Sequence, residues 1–183
     1  MLEVIIHGRG GQGAVTLSKL VAIAAFYEGK YSQAFPVFGI ERRGAPAAAF
    51  LRIDDKPILI RSEIYEADMI VILDPTLLSI IDIKSSLKKK GNLIINSQKT
   101  PDEIKKEYSL QGYDICTFDA TSLALQVFKK NIVNTAMFAV FSASTKLIHL
   151  NAAFQAIEER FSGNKESLIL NKKIVGEVYN KFR

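Results

Sequence analysis

Cysteine occurs once in this chain, at Cys116, and histidine twice, at His7 and His149. One thiol closes no disulfide within the chain and cannot supply the ligands of an iron–sulfur cluster. It stands in the apolar run Tyr113 to Phe118, as a core thiol does. Two histidines so far apart, with no cysteine or paired carboxylates at ligand spacing, make no metal site, and both are expected to be structural. No GxSxG elbow offers a serine nucleophile. No apolar run reaches membrane-spanning length, and Met1 to His7 lacks the basic segment and cleavage site of a secretory signal, so a cytoplasmic location is expected. Repeats and low-complexity tracts are missing too.

The composition that remains is globular: 48% of residues are hydrophobic and 23% charged. At 183 residues, with no linker-like stretch, residues 1–183 are expected to form a single domain. A mean hydropathy slightly above zero implies surface that a partner covers. The net charge of +5 is modest and dispersed. Its one triplet, Lys88-Lys89-Lys90, precedes Gly91 and reads as a basic helix end with a glycine cap. No aromatic residues interleave it, so no nucleic-acid surface is expected.

Glycine is where the chain is rich. Leu2 to His7 reads as a buried strand that runs into Gly8-Arg9-Gly10-Gly11-Gln12-Gly13, after which a helix is expected over Ala14 to Glu28, closed by Gly29. Glycines at 8, 10 and 13 let the backbone turn sharply and approach an anion at a helix start. Arg9 and Gln12 add donors suited to phosphate or carboxylate. A dinucleotide enzyme would carry an acidic residue about 20 positions beyond such a loop, to hold the ribose. Ser32, Gln33 and Ala34 stand there instead, which disfavours an NAD(P) oxidoreductase.

Tyr31 to Phe35 reads as a second strand. Ala47 to Ile53 and Ile58 to Arg61, separated by Asp54-Asp55-Lys56-Pro57, are expected to form a hairpin on which Arg52 and Arg61 face solvent or bridge charges. Strands at Met69 to Leu73, Leu93 to Ile95 and Ile115 to Phe118 then alternate with helical segments. Their carboxyl ends carry Asp74-Pro75, Asn96-Ser97 and Asp119. That edge of an open α/β sheet is where ligands bind, but capping is the expected duty of Asp74, Ser97 and Asp119. Helices are expected at Asn134 to Lys146, Asn151 to Phe161 and Glu166 to Phe182. The fold class is therefore α/β: a single Rossmann-like domain, its mostly parallel sheet flanked by helices, with a β-hairpin insertion and a helical C-terminus.

Between the second and third strands lies Gln33-Ala-Phe-Pro-Val-Phe-Gly39-Ile-Glu41-Arg42-Arg43-Gly44-Ala-Pro46. With the glycine loop and Phe50-Leu-Arg-Ile53, this block resembles the gamma subunits of pyruvate synthase, members of the 2-oxoacid:ferredoxin oxidoreductase family. Ala67 to Pro75, Asn92 to Ser97, Asp119 to Ala124 and Asn134 to Met137 extend the likeness over most of the chain. The gamma-type subunits of 2-oxoisovalerate enzymes remain an alternative, as does a free-standing nucleotide- or coenzyme A-binding module.

The resemblance implies a complex that oxidatively decarboxylates a 2-oxoacid to acyl-coenzyme A and reduces ferredoxin. This chain has no GDG-type motif for thiamine diphosphate and Mg²⁺, and it lacks cluster cysteines. Those cofactors are then expected on alpha, beta and delta partner subunits, with no catalytic residue here. Gly8, Arg9, Gly10, Gly11, Gln12 and Gly13 are the residues expected at a shared coenzyme A site. Phe35, Pro36, Phe38, Gly39, Glu41, Arg42 and Arg43 are expected to face a partner, aromatics beside arginine being the material of interface hot spots. Core packing competes with that role for Phe35 and Phe38.

Overall fold

The structure, a computed structural model, describes residues 1–37 and 44–182. Among the described residues, six strands form one sheet in the order β2-β3-β1-β4-β5-β6. They span Leu2–Arg9 (β1), Tyr31–Pro36 (β2), Pro46–Asp54 (β3), Ala67–Ile72 (β4), Leu87–Asn96 (β5) and Asp114–Phe118 (β6). The pairs β1/β4, β4/β5 and β5/β6 are parallel, while β3 runs against both β1 and β2. The helices are α1 (Ala14–Tyr27), α2 (Ile83–Ser86), α3 (Pro101–Glu107), α4 (Ala120–Phe128), α5 (Asn134–Thr145), α6 (Leu150–Phe161) and α7 (Lys165–Lys181), with a 3₁₀ turn at Pro75–Ser79.

Strand alternation divides the core between the two faces of the sheet. Val4 and Ile6 of β1 join Leu51 and Val71 in one cluster, roofed by α1, α5, α6 and α7. Ile5 joins Phe50, Ile70, Ile72 and Leu93 in the other, closed by Leu77, Leu78, Ile83 and Ile104 from shorter elements. Helix α5 is buried at every position from Asn134 to Ala143, so it is covered all round and lies inside the first layer. Gly29, at φ 73°, ends α1 as expected: Lys30 N–H donates to Ala25 C=O at 2.9 Å and Gly29 N–H to Phe26 C=O at 2.9 Å.

The antiparallel hairpin is present, but its partner differs from the one expected. Ile58 to Arg61 form no strand; β3 takes β2 and β1 as neighbours instead, with Phe35 opposite Phe50 and Ile5 opposite Phe50. Two apolar strands outcompete a short arm following Pro57, and Leu59 is left 88% exposed. Lys88 to Lys90 do not end a helix. Helix α2 lasts one turn, and the lysines enter β5 through an irregularity between Ala67 and Met69 at which Lys90 adopts φ 64°. Gly91 is required there, because a Cβ would stand 2.6 Å from Leu87 Cδ1 and 2.8 Å from Lys88 O. Helix α6 begins at Leu150 after His149, not at an Asn151 cap.

Candidate functional site

Chain direction makes the site. After β1 the chain crosses through α1 towards β2 and β3, and after β4 it leaves on the other side towards β5 and β6. The carboxyl ends of β1 and β4 therefore open a crevice between diverging connections, the position at which such sheets bind ligands. The glycine loop fills one wall of it and Asp74 to Ser79 the other.

Gly11 and Gly13 hold φ of 98° and 90°, which bulkier residues resist. Gly13 also lies against α5: a Cβ would stand 2.5 Å from Asn134 Nδ2. Gly13 is the residue preceding α1, no described side chain caps that helix, and its first turn carries no acidic residue. Its leading N–H groups are thus served by no cap of that kind, and a bound anion satisfies such groups.

The side-chain donors of the loop meet a carboxylate of the protein itself. Gln12 turns inward, accepting Arg9 N–H at 2.8 Å and donating to Asp74 Oδ2 at 2.9 Å. Arg9 Nε stands 3.3 Å from the same carboxylate oxygen, Nη2 donates to Thr76 Oγ1 at 2.7 Å and Nη1 to Gly44 C=O at 3.1 Å. Asp74 also caps the 3₁₀ turn, accepting Thr76 N–H at 3.0 Å and its hydroxyl at 2.6 Å. Burial alone would raise the Asp74 pKa; hydrogen bonds from Thr76 and Gln12 and the Arg9 charge outweigh it and hold the carboxyl below its ordinary value. The expected capping role of Asp74 is present, and the loop-holding role is an addition. Its signal was positional: Asp74 follows the strand that lies parallel beside β1.

Beside the loop, a cleft of about 460 Å³ runs along the carboxyl ends of β4, β5 and β6, between Pro75, Thr76, Leu78, Ile104 and Tyr108 and the polar residues Asn96 to Lys99, Asp119 and Thr121. Asn96 donates to Leu73 C=O and Thr121 Oγ1 and accepts from Ala120 and Thr121 N–H, which ties three elements together at the cleft floor. Asp119 caps α4 through Ser122 N–H at 2.9 Å, as expected.

His7, two residues before Arg9 on the same face, has no hydrogen-bond partner at Nε2 among the described residues. Burial drives its pKa down to about 4 and keeps the ring neutral. Arg52, expected to face solvent or bridge charges, does the second and is 1% exposed. Its guanidinium bonds Glu3 at 3.0 Å, reaches Gln33 Oε1 and Glu63 C=O at 3.4 Å, and lies over the Phe35 ring. Phe35 itself is half-buried, edge-on to Phe50 at 5.4 Å. Pro36 ends the edge strand opposite Ala49. Phe38, Gly39, Glu41, Arg42 and Arg43 lie outside the described residues. His149 pairs with Glu28, its Nδ1 3.0 Å from Oε2, a structural position as expected.

Comparison with known proteins supplies the context. The family model of pyruvate ferredoxin/flavodoxin oxidoreductase matches residues 3–181. The chain is 46% identical to the pyruvate/ketoisovalerate oxidoreductases common subunit gamma of Thermococcus kodakarensis, over 99% of this chain and 97% of that one. The crystal structure of pyruvate oxidoreductase subunit PORC from Thermotoga maritima superposes with a TM-score of 0.82 at 37% identity, covering 98% of this chain and 95% of the other. A 2-oxoglutarate:ferredoxin oxidoreductase from Magnetococcus marinus, solved with 2-oxoglutarate, coenzyme A and succinyl-CoA bound, shares the fold at a TM-score of 0.73 and 18% identity; the match covers 99% of this chain and 30% of that one. The chain belongs to the pyruvate ferredoxin/flavodoxin oxidoreductase family, as a gamma subunit of a 2-oxoacid:ferredoxin oxidoreductase.

Proposed function

We propose that this gamma subunit lends its glycine loop to a coenzyme A site completed by partner subunits. The observation that carries the reading is the uncapped start of α1 behind Gly11 and Gly13, at the crevice between β1 and β4. Backbone N–H groups and the helix dipole favour a phosphate there. The adjoining cleft supplies an apolar wall of Pro75, Leu78, Ile104 and Tyr108 for the organic part of such a ligand. The coenzyme-bound oxoacid oxidoreductase of Magnetococcus marinus contains a domain of this fold, which supports the choice of ligand.

Thiamine diphosphate, Mg²⁺ and iron–sulfur clusters belong, in this proposal, to the alpha, beta and delta chains, which pass electrons to ferredoxin in the cytoplasm. The residues here do not fit those groups: Cys116 is the single thiol, and burial followed by the charge of Asp114 raises its pKa, the reverse of what a thiolate ligand needs. The segment from Phe35 to Arg43 is assigned to a partner contact. Phe35 packs edge-on to Phe50, the core role that competes with a partner contact for this residue.

The test is Arg9→Ala in the assembled complex. Losing the tie to Thr76 and Gly44 is expected to raise KM for coenzyme A about tenfold while KM for the oxoacid stays within about twofold, a hydrogen bond to a charged group contributing roughly 1.5–3 kcal/mol. Equal changes in both constants, or none, would remove the loop from the coenzyme site.

A further inference from the structure

We infer that Asp74 is the positioning residue of the glycine loop: one carboxylate, reached from β4, sets the loop through Gln12 and Arg9 and joins it to the cleft. The inference rests on the reading of the loop as a coenzyme site and adds the residue that holds it in shape.

The loop has little else to fix it. Two of its six residues adopt left-handed backbone, and glycine loses more conformational entropy on ordering than any other residue. Gly8 and Arg9 end the β1 ladder opposite Ala47 and Pro46, and Gly13 C=O accepts Leu17 N–H at 2.8 Å; between them the backbone bonds are few: Gly10 N–H donates to Ala45 C=O at 2.8 Å, Gly44 N–H to Gly10 C=O at 3.1 Å and Gln12 N–H to Arg9 C=O at 3.0 Å. Gln12 closes the turn onto Arg9 N–H and is itself oriented by Asp74 Oδ2, 62 residues away in sequence. Arg9 meets the same oxygen, so both side chains that leave the loop end on one carboxylate. The other oxygen, Oδ1, holds Thr76, which receives Arg9 Nη2 and lines the cleft. Loop, 3₁₀ turn and cleft wall are therefore a single hydrogen-bonded ring centred on Asp74. The two Gln12 bonds are part-buried, with the Asp74 side chain 15% exposed, so water does not replace them cheaply; the bonds through Thr76 and the Arg9 guanidinium are exposed.

Asp74→Asn separates positioning from capping, because asparagine caps a helical turn as well as aspartate does. Its amide cannot accept from Gln12 while its oxygen accepts from Thr76, so one of the two bonds is lost. Gln12→Glu alone sets two carboxylates against each other. Combined, Gln12→Glu and Asp74→Asn reverse the donor and acceptor of the same bond, and the carboxylate introduced in the loop can still accept Arg9 N–H. Two readouts are taken on the assembled complex: amide hydrogen exchange over residues 9–16, and KM for coenzyme A against kcat.

Each single variant is expected to speed exchange of the loop amides and to raise KM for coenzyme A about tenfold with kcat changed less than about twofold; the double variant is expected to recover the share of both that the bond between positions 12 and 74 carries, the Arg9 contact with position 74 staying lost. Unchanged loop exchange in Asp74→Asn, or a double variant as impaired as the two singles added together, overturns the inference. Faster exchange, restored in the double variant, with an unchanged KM for coenzyme A upholds Asp74 as the positioning residue and refutes the coenzyme role of the loop.

Discussion

At the scale of single residues, two basic groups on one face of the sheet have opposite electrostatics. His7 is held neutral by burial and has an Nε2 that meets no partner among the described residues, whereas Arg52 is paired with Glu3 at 3.0 Å. A histidine whose folded pKa lies near 4, against 6.5 when unfolded, binds fewer protons folded than unfolded between those values. Stability must therefore rise with pH across that window and fall as pH drops from about 6.5 towards 4. At about 1.4 kcal/mol per pKa unit the loss is at most about 3 kcal/mol. In His7→Leu, urea unfolding of the purified chain is expected to lose that slope between pH 6.5 and 4 while keeping the carboxylate slope below it; an unaltered slope would contradict the assignment. For Arg52, deletion is worse than replacement. Arg52→Ala takes from Glu3 its nearer cation, leaving Lys88 at 3.9 Å, and opens space beside Phe35, costing about 3 kcal/mol, while Arg52→Met loses the same ion pair but keeps the volume and is expected to cost clearly less. At roughly 2–4 °C per kcal/mol, thermal midpoints should separate the two variants, and equal midpoints would show that the packing of the side chain beside Phe35 contributes little.

At the scale of elements, one helix is capped by another. Helix α6 has no capping side chain from its own first residues; the Glu28 carboxylate, from the end of α1, accepts His149 N–H at 2.7 Å and faces the imidazole. Burial would raise the Glu28 pKa, but the His149 bonds and the nearby Lys30 prevail and lower it. A depressed folded pKa means that this stabilisation is fully present above the unfolded value and is lost as pH falls through the folded one. Glu28→Ala is expected to cost about 1 kcal/mol at neutral pH and less below that range, read as the change in unfolding midpoint. Such a cap, between residues far apart in the chain, leaves no local sequence signature, which is why an Asn151 cap was the natural expectation. What the sequence did carry was local. The strand before Gly8, the Gly29 stop, the Asp74-Pro75 start and the Asp119 cap each depend on neighbours within one turn. The pairing of β3 with β1 and β2, the burial of Arg52 and the hold of Asp74 on Gln12 all depend on which distant strand lies alongside. Ile58 to Arg61 had the residues of a strand and lost to better partners.

At the scale of the whole molecule, the division of labour among subunits makes a claim about substrate choice. The relative from Thermococcus kodakarensis, alike over 99% of this chain, is described as common to pyruvate and ketoisovalerate oxidoreductases. A subunit shared between two oxoacid enzymes does not select the oxoacid; selection then lies with the chains proposed to hold thiamine diphosphate. Under the coenzyme role proposed for it, the glycine loop at the β1/β4 crevice would meet only the acyl acceptor, which the two oxoacid reactions share. Exchanging this gamma subunit for the Thermococcus kodakarensis one in an otherwise unchanged complex is therefore expected to leave the ratio of kcat/KM for pyruvate to that for 2-oxoisovalerate within about twofold, since differential transition-state binding sets that ratio. The KM for coenzyme A is expected to be the constant that moves, if any does. A preference that followed the gamma subunit would place oxoacid recognition in this chain and require a second site apart from the glycine loop.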